Sequence, residues 1–134
     1  MTGGSGAPAG PVSCVLDTSA VLALVREERG AAAVAARLDG SVMSAVNWSE
    51  VVAPARGDLR PLRDGLAAAG LLIVPFGVED AEAAGALWAR TRQRGLGLGD
   101  RACLALALRL GVPAVTADRG WADLDLGVAV EVIR

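Results

Sequence analysis

The chain has 134 residues, 53% of them hydrophobic and 21% charged, which is enough for one domain with a substantial core and too apolar for disorder along most of its length. Its net charge is −2, every basic residue is Arg, and neither His nor Lys occurs. That composition excludes His general bases, Schiff-base lysines and His-ligated metals, and it requires any polyanionic partner to meet a local Arg patch or a bridging cation.

After Met1 and Thr2, residues up to 11 are Gly, Ser, Ala and Pro without an apolar centre, so a flexible leader is expected over 1–11, not a signal peptide, with the folded domain over 12–134. Val12–Leu16 reads as a buried strand ending on Asp17. Ala20, Val21, Leu24 and Val25 then fall at helical spacing. A second short helix is expected over Ala31–Leu38, a short strand over Ser41–Ala45, and a helix opening near Asn47 that carries Glu50 and is broken by Pro54. Leu59–Ala69 reads as a helix and Leu71–Val74 as a strand.

Val78–Arg94 reads as one long helix, acidic at its start and basic at its end, in keeping with the macrodipole. Gly95, Gly97 and Gly99 read as a flexible connector into Asp100. A helix over Arg101–Leu110 is apolar almost all round and so expected to be buried. Arg109, Gly111 and Pro113 interrupt this run, so it does not span a membrane. Strands over Ala114–Thr116 and Val128–Ile133 complete the pattern, with Asp118 just after the first of them. Alternating strands and helices predict an α/β fold with a central parallel sheet of about five strands and helices on both faces. Cys14 and Cys103 lie in apolar sequence and read as buried free thiols of a reducing cytoplasm. Trp48, Trp88 and Trp121 read as core or interface anchors.

Each acid has an ordinary explanation by itself. Asp17 and Asp100 suit helix N-caps, Asp118 a turn, and Glu50 a solvated helix face. In a doubly wound sheet, however, Asp17 and Asp118 follow strands that can be neighbours, and Glu50 and Asp100 lie on the same carboxyl edge, where such sheets place their chemistry. Two like charges roughly 4 Å apart repel by about 4 kcal/mol at an effective dielectric near 20, which outweighs a cap. Without Lys or His to neutralise them, converging acids point to hard divalent cations, Mg²⁺ or Mn²⁺.

Four segments then resemble a known family. Val15-Leu16-Asp17-Thr18-Ser19-Ala20, Ser44 to Val51 around Asn47-Trp48-Ser49-Glu50, Leu96 to Ala105 around Gly99-Asp100, and Val115 to Trp121 around Asp118 are similar to the motifs of PIN-domain ribonucleases. The likeness is nearest to the VapC toxins of bacterial toxin–antitoxin pairs and covers the chain from residue 12 onward. It implies that Asp17, Glu50, Asp100 and Asp118 are the catalytic, metal-holding quartet, with Thr116 as a supporting hydroxyl. It also implies an RNA substrate, a cognate antitoxin and a homodimer. The segment between Glu50 and Leu71, with Pro54, is short for the family.

The implied reaction is RNA phosphodiester hydrolysis. One or two Mg²⁺ ions anchored by Asp17, Asp100 and Asp118 would activate a water, and Glu50 would act through water or on a second ion. Arg90, Arg92, Arg94, Arg101 and Arg119 flank the motifs and are candidates for guiding the substrate, although Arg90 to Arg94 equally complement a helix C-terminus. The alternatives are a catalytically inert PIN-fold binding module, a non-toxin RNA-processing nuclease, and a phospho-acceptor domain using Asp17. The last of these ordinarily needs a lysine that this chain lacks.

Overall fold

A computed structural model describes residues 10–134; residues 1–9, most of the expected leader, lie outside the described residues. Five parallel strands form one sheet in the order β3-β2-β1-β4-β5, with β1 (Cys14–Leu16) at its centre. The others are β2 (Ser41–Ser44), β3 (Leu72–Val74), β4 (Ala114–Thr116) and β5 (Val130–Val132). The chain winds outward from β1 through β2 and β3, then returns to place β4 and β5 on the other side. The order therefore reverses between β1 and β4.

Alternation along the short strands assigns the two layers. Cys14 and Leu16 of β1, Met43 of β2 and Val115 of β4 pack with α1 (Thr18–Val25), α2 (Ala31–Ala35), α3 (Ala45–Val52) and α4 (Arg60–Ala68) through Val21, Val34, Val51 and Leu66. Val15, Val42 and Ala114, one position out of phase, face the opposite layer. That layer comprises α5 (Val78–Ala86) and α7 (Leu98–Leu110), with Ala84, Leu104 and Leu106 in contact and Trp121 closing one end. Because both faces are covered, β1 reads in sequence as a continuous apolar run instead of an alternating one. Both cysteines are buried and free. No described helix is long and apolar enough to cross a membrane.

Three expectations need correction. The long helix expected over Val78–Arg94 is broken into α5, α6 (Trp88–Thr91) and a 3₁₀ turn over Arg92–Arg94. Arg101 Nη1 donates to the carbonyl of Ala84 (3.0 Å), which a continuous helix would give to Trp88 N. The Thr91 hydroxyl donates to the carbonyl of Leu87 one turn back (2.7 Å), and Gly95 then ends the segment with a φ of 71°. The glycine-rich stretch is not simply a connector either, since α7 begins at Leu98 and takes Gly99 into its first turn. The last strand covers only Val130–Val132 of the expected Val128–Ile133, as an edge strand paired on one side.

Candidate active site

The reversal between β1 and β4 opens a crevice at the carboxyl ends of these two strands, where open α/β sheets bind ligands. Asp17 leaves β1 into this crevice, its backbone N–H donating to the carbonyl of Val115 on β4 (2.9 Å). Although it occupies the N-cap position of α1, its side chain makes no capping bond. Instead its Oδ2 accepts from two hydroxyls, Ser19 Oγ (2.7 Å) and Thr116 Oγ1 (3.0 Å). Each hydroxyl is itself held by a backbone N–H from the turn after β4: Ala117 N donates to Ser19 Oγ (2.9 Å) and Asp118 N to Thr116 Oγ1 (3.0 Å). Both hydroxyls engage the same oxygen, so neither of these bonds uses Oδ1. Burial raises the Asp17 carboxyl above its usual range, an effect opposed by the bonds from Ser19 and Thr116.

Glu50 reaches the same crevice from α3, which opens on Ser44, whose hydroxyl accepts from Val46 N (3.2 Å). Its Oε1 accepts a 2.6 Å bond from Thr18 Oγ1. The carboxyl group lies over Gly99, where a β-carbon would come within 2.5 Å of Glu50 Cδ. Gly99 has ordinary negative φ, so its requirement is one of space and not of backbone conformation. Asp100 follows in the first turn of α7, one position beyond Gly99. Its Oδ2 accepts from Gly97 N (3.2 Å), a helix-start bond made from inside the helix, not from its cap.

Asp118 faces the crevice from the turn after β4. Its Oδ1 accepts from Gly120 N (2.8 Å), so the turn function expected of it coexists with its place at the site. Asp100, Asp118, Arg94, Leu96, Gly120 and Trp121 line a cleft of about 130 Å³. The Asp100 carboxyl is raised to about 6, first by burial and next by the charge of Asp17; Glu50 and Asp118 add to this, and the Gly97 N–H opposes it. One carboxyl group therefore feels the other three acids together.

The arginines divide. Arg94 lines the cleft and its Nη2 donates to Gly120 O and Asp123 Oδ1 (both 2.6 Å). Arg101 turns away from the acids, with Nη1 on the carbonyl of Ala84 (3.0 Å). Arg119 lies on the carbonyl of Arg134, Arg90 on that of Asp125, and Arg92 over the ring of Trp88, 5.1 Å from its centroid. Four residues that the sequence reading did not single out also belong to this region: Thr18, Ser19, Asn47 and Gly99. The signal available for Asn47 is its helical spacing, three residues before Glu50 on one face of α3.

The chemistry of the donor set suits a hard divalent cation. It consists of four carboxylates, and none of them is paired with Arg among the described residues. Among the described residues, no three acidic or cysteine side chains stand close enough together to hold a metal ion as they are placed. Each carboxylate is instead turned toward a hydroxyl or amide of its own, the arrangement expected of like charges that repel across a shared cleft.

The PIN-domain family model matches residues 14–126, a span that includes all four acids. The chain belongs to the PIN-domain family. No curated protein matches this PIN domain. Among solved structures it is similar to a toxin–antitoxin complex from Klebsiella pneumoniae, at 25% identity and a TM-score of 0.69 over 87% of this chain and 96% of the other. It is also similar to VapBC-5, a member of the VapBC family of toxin–antitoxin systems from Mycobacterium tuberculosis, at 25% identity and a TM-score of 0.54 over 92% and 99%. DNA-bound VapBC from Salmonella typhimurium, at 18% identity and a TM-score of 0.69 over 92% and 99%, shares the fold.

Proposed function

We propose that this PIN domain is a metal-dependent endoribonuclease that hydrolyses RNA phosphodiester bonds as the toxin of a toxin–antitoxin pair. The observation that carries the reading is that Asp17, Glu50, Asp100 and Asp118 come to the strand-order reversal from four separate segments, none of them paired with Arg among the described residues. A fold has no need to gather four acids without a partnering cation at one crevice, and capping accounts for only one acid at a time. The toxin–antitoxin relatives at 25% identity support an antitoxin partner, and the reading includes a homodimer. The two free buried thiols agree with a reducing cytoplasm.

Asp17, Asp100 and Asp118 would hold Mg²⁺ or Mn²⁺, with Glu50 completing the set. Such an ion, when bound, supplies Lewis acidity toward the phosphate and the attacking water. The chain's own residues prepare the rest. Ser19 and Thr116 fix Asp17 through one oxygen, holding the carboxylate in a single orientation. Arg94, on the rim of the cleft, offers a guanidinium to an incoming phosphate, for which it would exchange the exposed carboxylate of Asp123.

The test is cleavage of single-stranded RNA with Mg²⁺ or Mn²⁺ by the wild-type chain and by Asp17→Asn. Loss of cleavage on chelation and in the variant is the expected result. Full activity of Asp17→Asn would overturn the assignment. A wild-type chain that binds an antitoxin but cuts no RNA with either ion would leave the inert binding module as the correct reading.

A further inference from the structure

Thr18 and Asn47 form a short hydrogen-bonded relay behind Glu50. Thr18 Oγ1 has a single proton, and its 2.6 Å contact with a carboxylate oxygen claims that proton over a longer 3.3 Å approach to the Asn47 carbonyl. Toward Asn47 the hydroxyl therefore accepts, and Asn47 Nδ2 donates to it at 3.0 Å. The second proton of the same amide goes to the carbonyl of Gly99, also at 3.0 Å. A backbone carbonyl can only accept, so the orientation of the Asn47 amide is determined from both sides. Asn47 is fully buried, and its Oδ1 has no partner among the described residues.

The relay joins three elements. Thr18 is the first residue of α1, next to Asp17; Asn47 and Glu50 are three apart on α3; Gly99 precedes Asp100 on α7. Glu50 itself is exposed, and a glutamate at a crevice rim has three free torsions and a like charge, Asp100, beside it. The Thr18 hydroxyl sets against that repulsion a charge-assisted bond whose donor is oriented by Asn47, and Asn47 is in turn oriented by the backbone beside Asp100.

We propose that Thr18 and Asn47 are positioning residues which hold the Glu50 carboxylate over Gly99, in register with Asp17 and Asp100, so that the four acids form one cation site. The inference rests on the metal-dependent reading of the site and adds to it two residues that touch neither cation nor substrate. Partners of this kind typically contribute about 10–100-fold to metal affinity or activity.

The experiment measures Mn²⁺ binding by calorimetry on the full chain, with RNA cleavage measured in parallel. Thr18→Val keeps the side-chain shape and removes the donor, Thr18→Ser restores it, and both are also placed in a Glu50→Gln background. Thr18→Val is expected to weaken Mn²⁺ binding by about tenfold or more. Thr18→Ser is expected to bind like the wild type, and Thr18→Val to have little further effect once Glu50 is Gln. Asn47→Ser, which shortens the link, is expected to weaken binding in the same direction. Wild-type affinity in Thr18→Val, or an undiminished loss in the Glu50→Gln background, would overturn the proposal. Binding decides this inference and cleavage decides the ribonuclease reading. A wild-type chain that binds Mn²⁺ without cutting RNA defeats only the latter, and one that binds no Mn²⁺ defeats both.

Discussion

The carboxyl group of Glu50 occupies the space that a side chain at Gly99 would need. Gly99 is buried within the first turn of α7, so helix propensity favours Ala there by about 1 kcal/mol, while sterics oppose it. The opposing atoms are the far end of a flexible, exposed side chain. Gly99→Ala should therefore fold with unchanged or slightly higher stability but with Glu50 displaced, lowering RNA cleavage by about tenfold or more. Denaturant unfolding and cleavage assays on the same sample check the two halves, and a fully active variant would show that the position of Glu50 does not matter.

Asp17 is 4% exposed and its carboxyl is raised by burial, so its charge opposes folding when no cation is present. Asp17→Asn removes that charge and keeps an oxygen for Ser19 and Thr116. Thermal unfolding in EDTA should show a stability equal to or above that of the wild type. Cleavage should fall by about a hundredfold or more, the scale on which losing one preorganised charge-stabilising group acts. A variant that is both inactive and strongly destabilised would mark Asp17 as structural.

Asp100 makes the metal-free fold sensitive to pH. Its folded carboxyl stands at about 6 against an ordinary 3.8, so between these values the folded state binds more protons than the unfolded one. The contribution to stability is fully present below about 3.8 and is lost as pH rises through about 6. Asp17, raised in the same direction, adds to the trend. In EDTA, the difference in Tm between wild type and Asp100→Asn should open in favour of the variant as pH rises from about 4 to 7. A difference independent of pH would refute the coupling among the acids.

Of the five arginines flanking the motifs, Arg94 alone lines the cleft with Asp100 and Asp118. Arg94→Ala, tested with a non-cleaving Asp17→Asn background, should weaken RNA binding and reduce the slope of log affinity against log salt by about 1. Arg90→Ala, whose parent side chain lies on the carbonyl of Asp125, should leave the slope unchanged. Equal slopes in all three proteins would remove Arg94 from the substrate path.

Abrupt strand ends, glycine and proline punctuation and the residue order around Asp17, Glu50, Asp100 and Asp118 made the parallel α/β fold and the family legible from the sequence, because each is a local property of a few consecutive residues. Boundaries set by side chains acting back on the helix were not legible. The break of the helix expected over Val78–Arg94 falls where Arg101, from α7, donates to the Ala84 carbonyl that a continuous helix would give to Trp88. The need for glycine at position 99 depends on Glu50, 49 residues earlier in the chain.

The sequence by itself determined which acids are available and that no histidine or lysine can neutralise them. Only the tertiary structure decided which hydroxyl serves which carboxylate, Ser19 and Thr116 for Asp17 and Thr18 for Glu50, and which arginine meets the cleft. The reason is that a hydrogen bond is specified by distance and direction within a few tenths of an ångström. Those are fixed by the packing of α1, α3 and α7 around the strand-order reversal, not by the spacing of the residues along the chain.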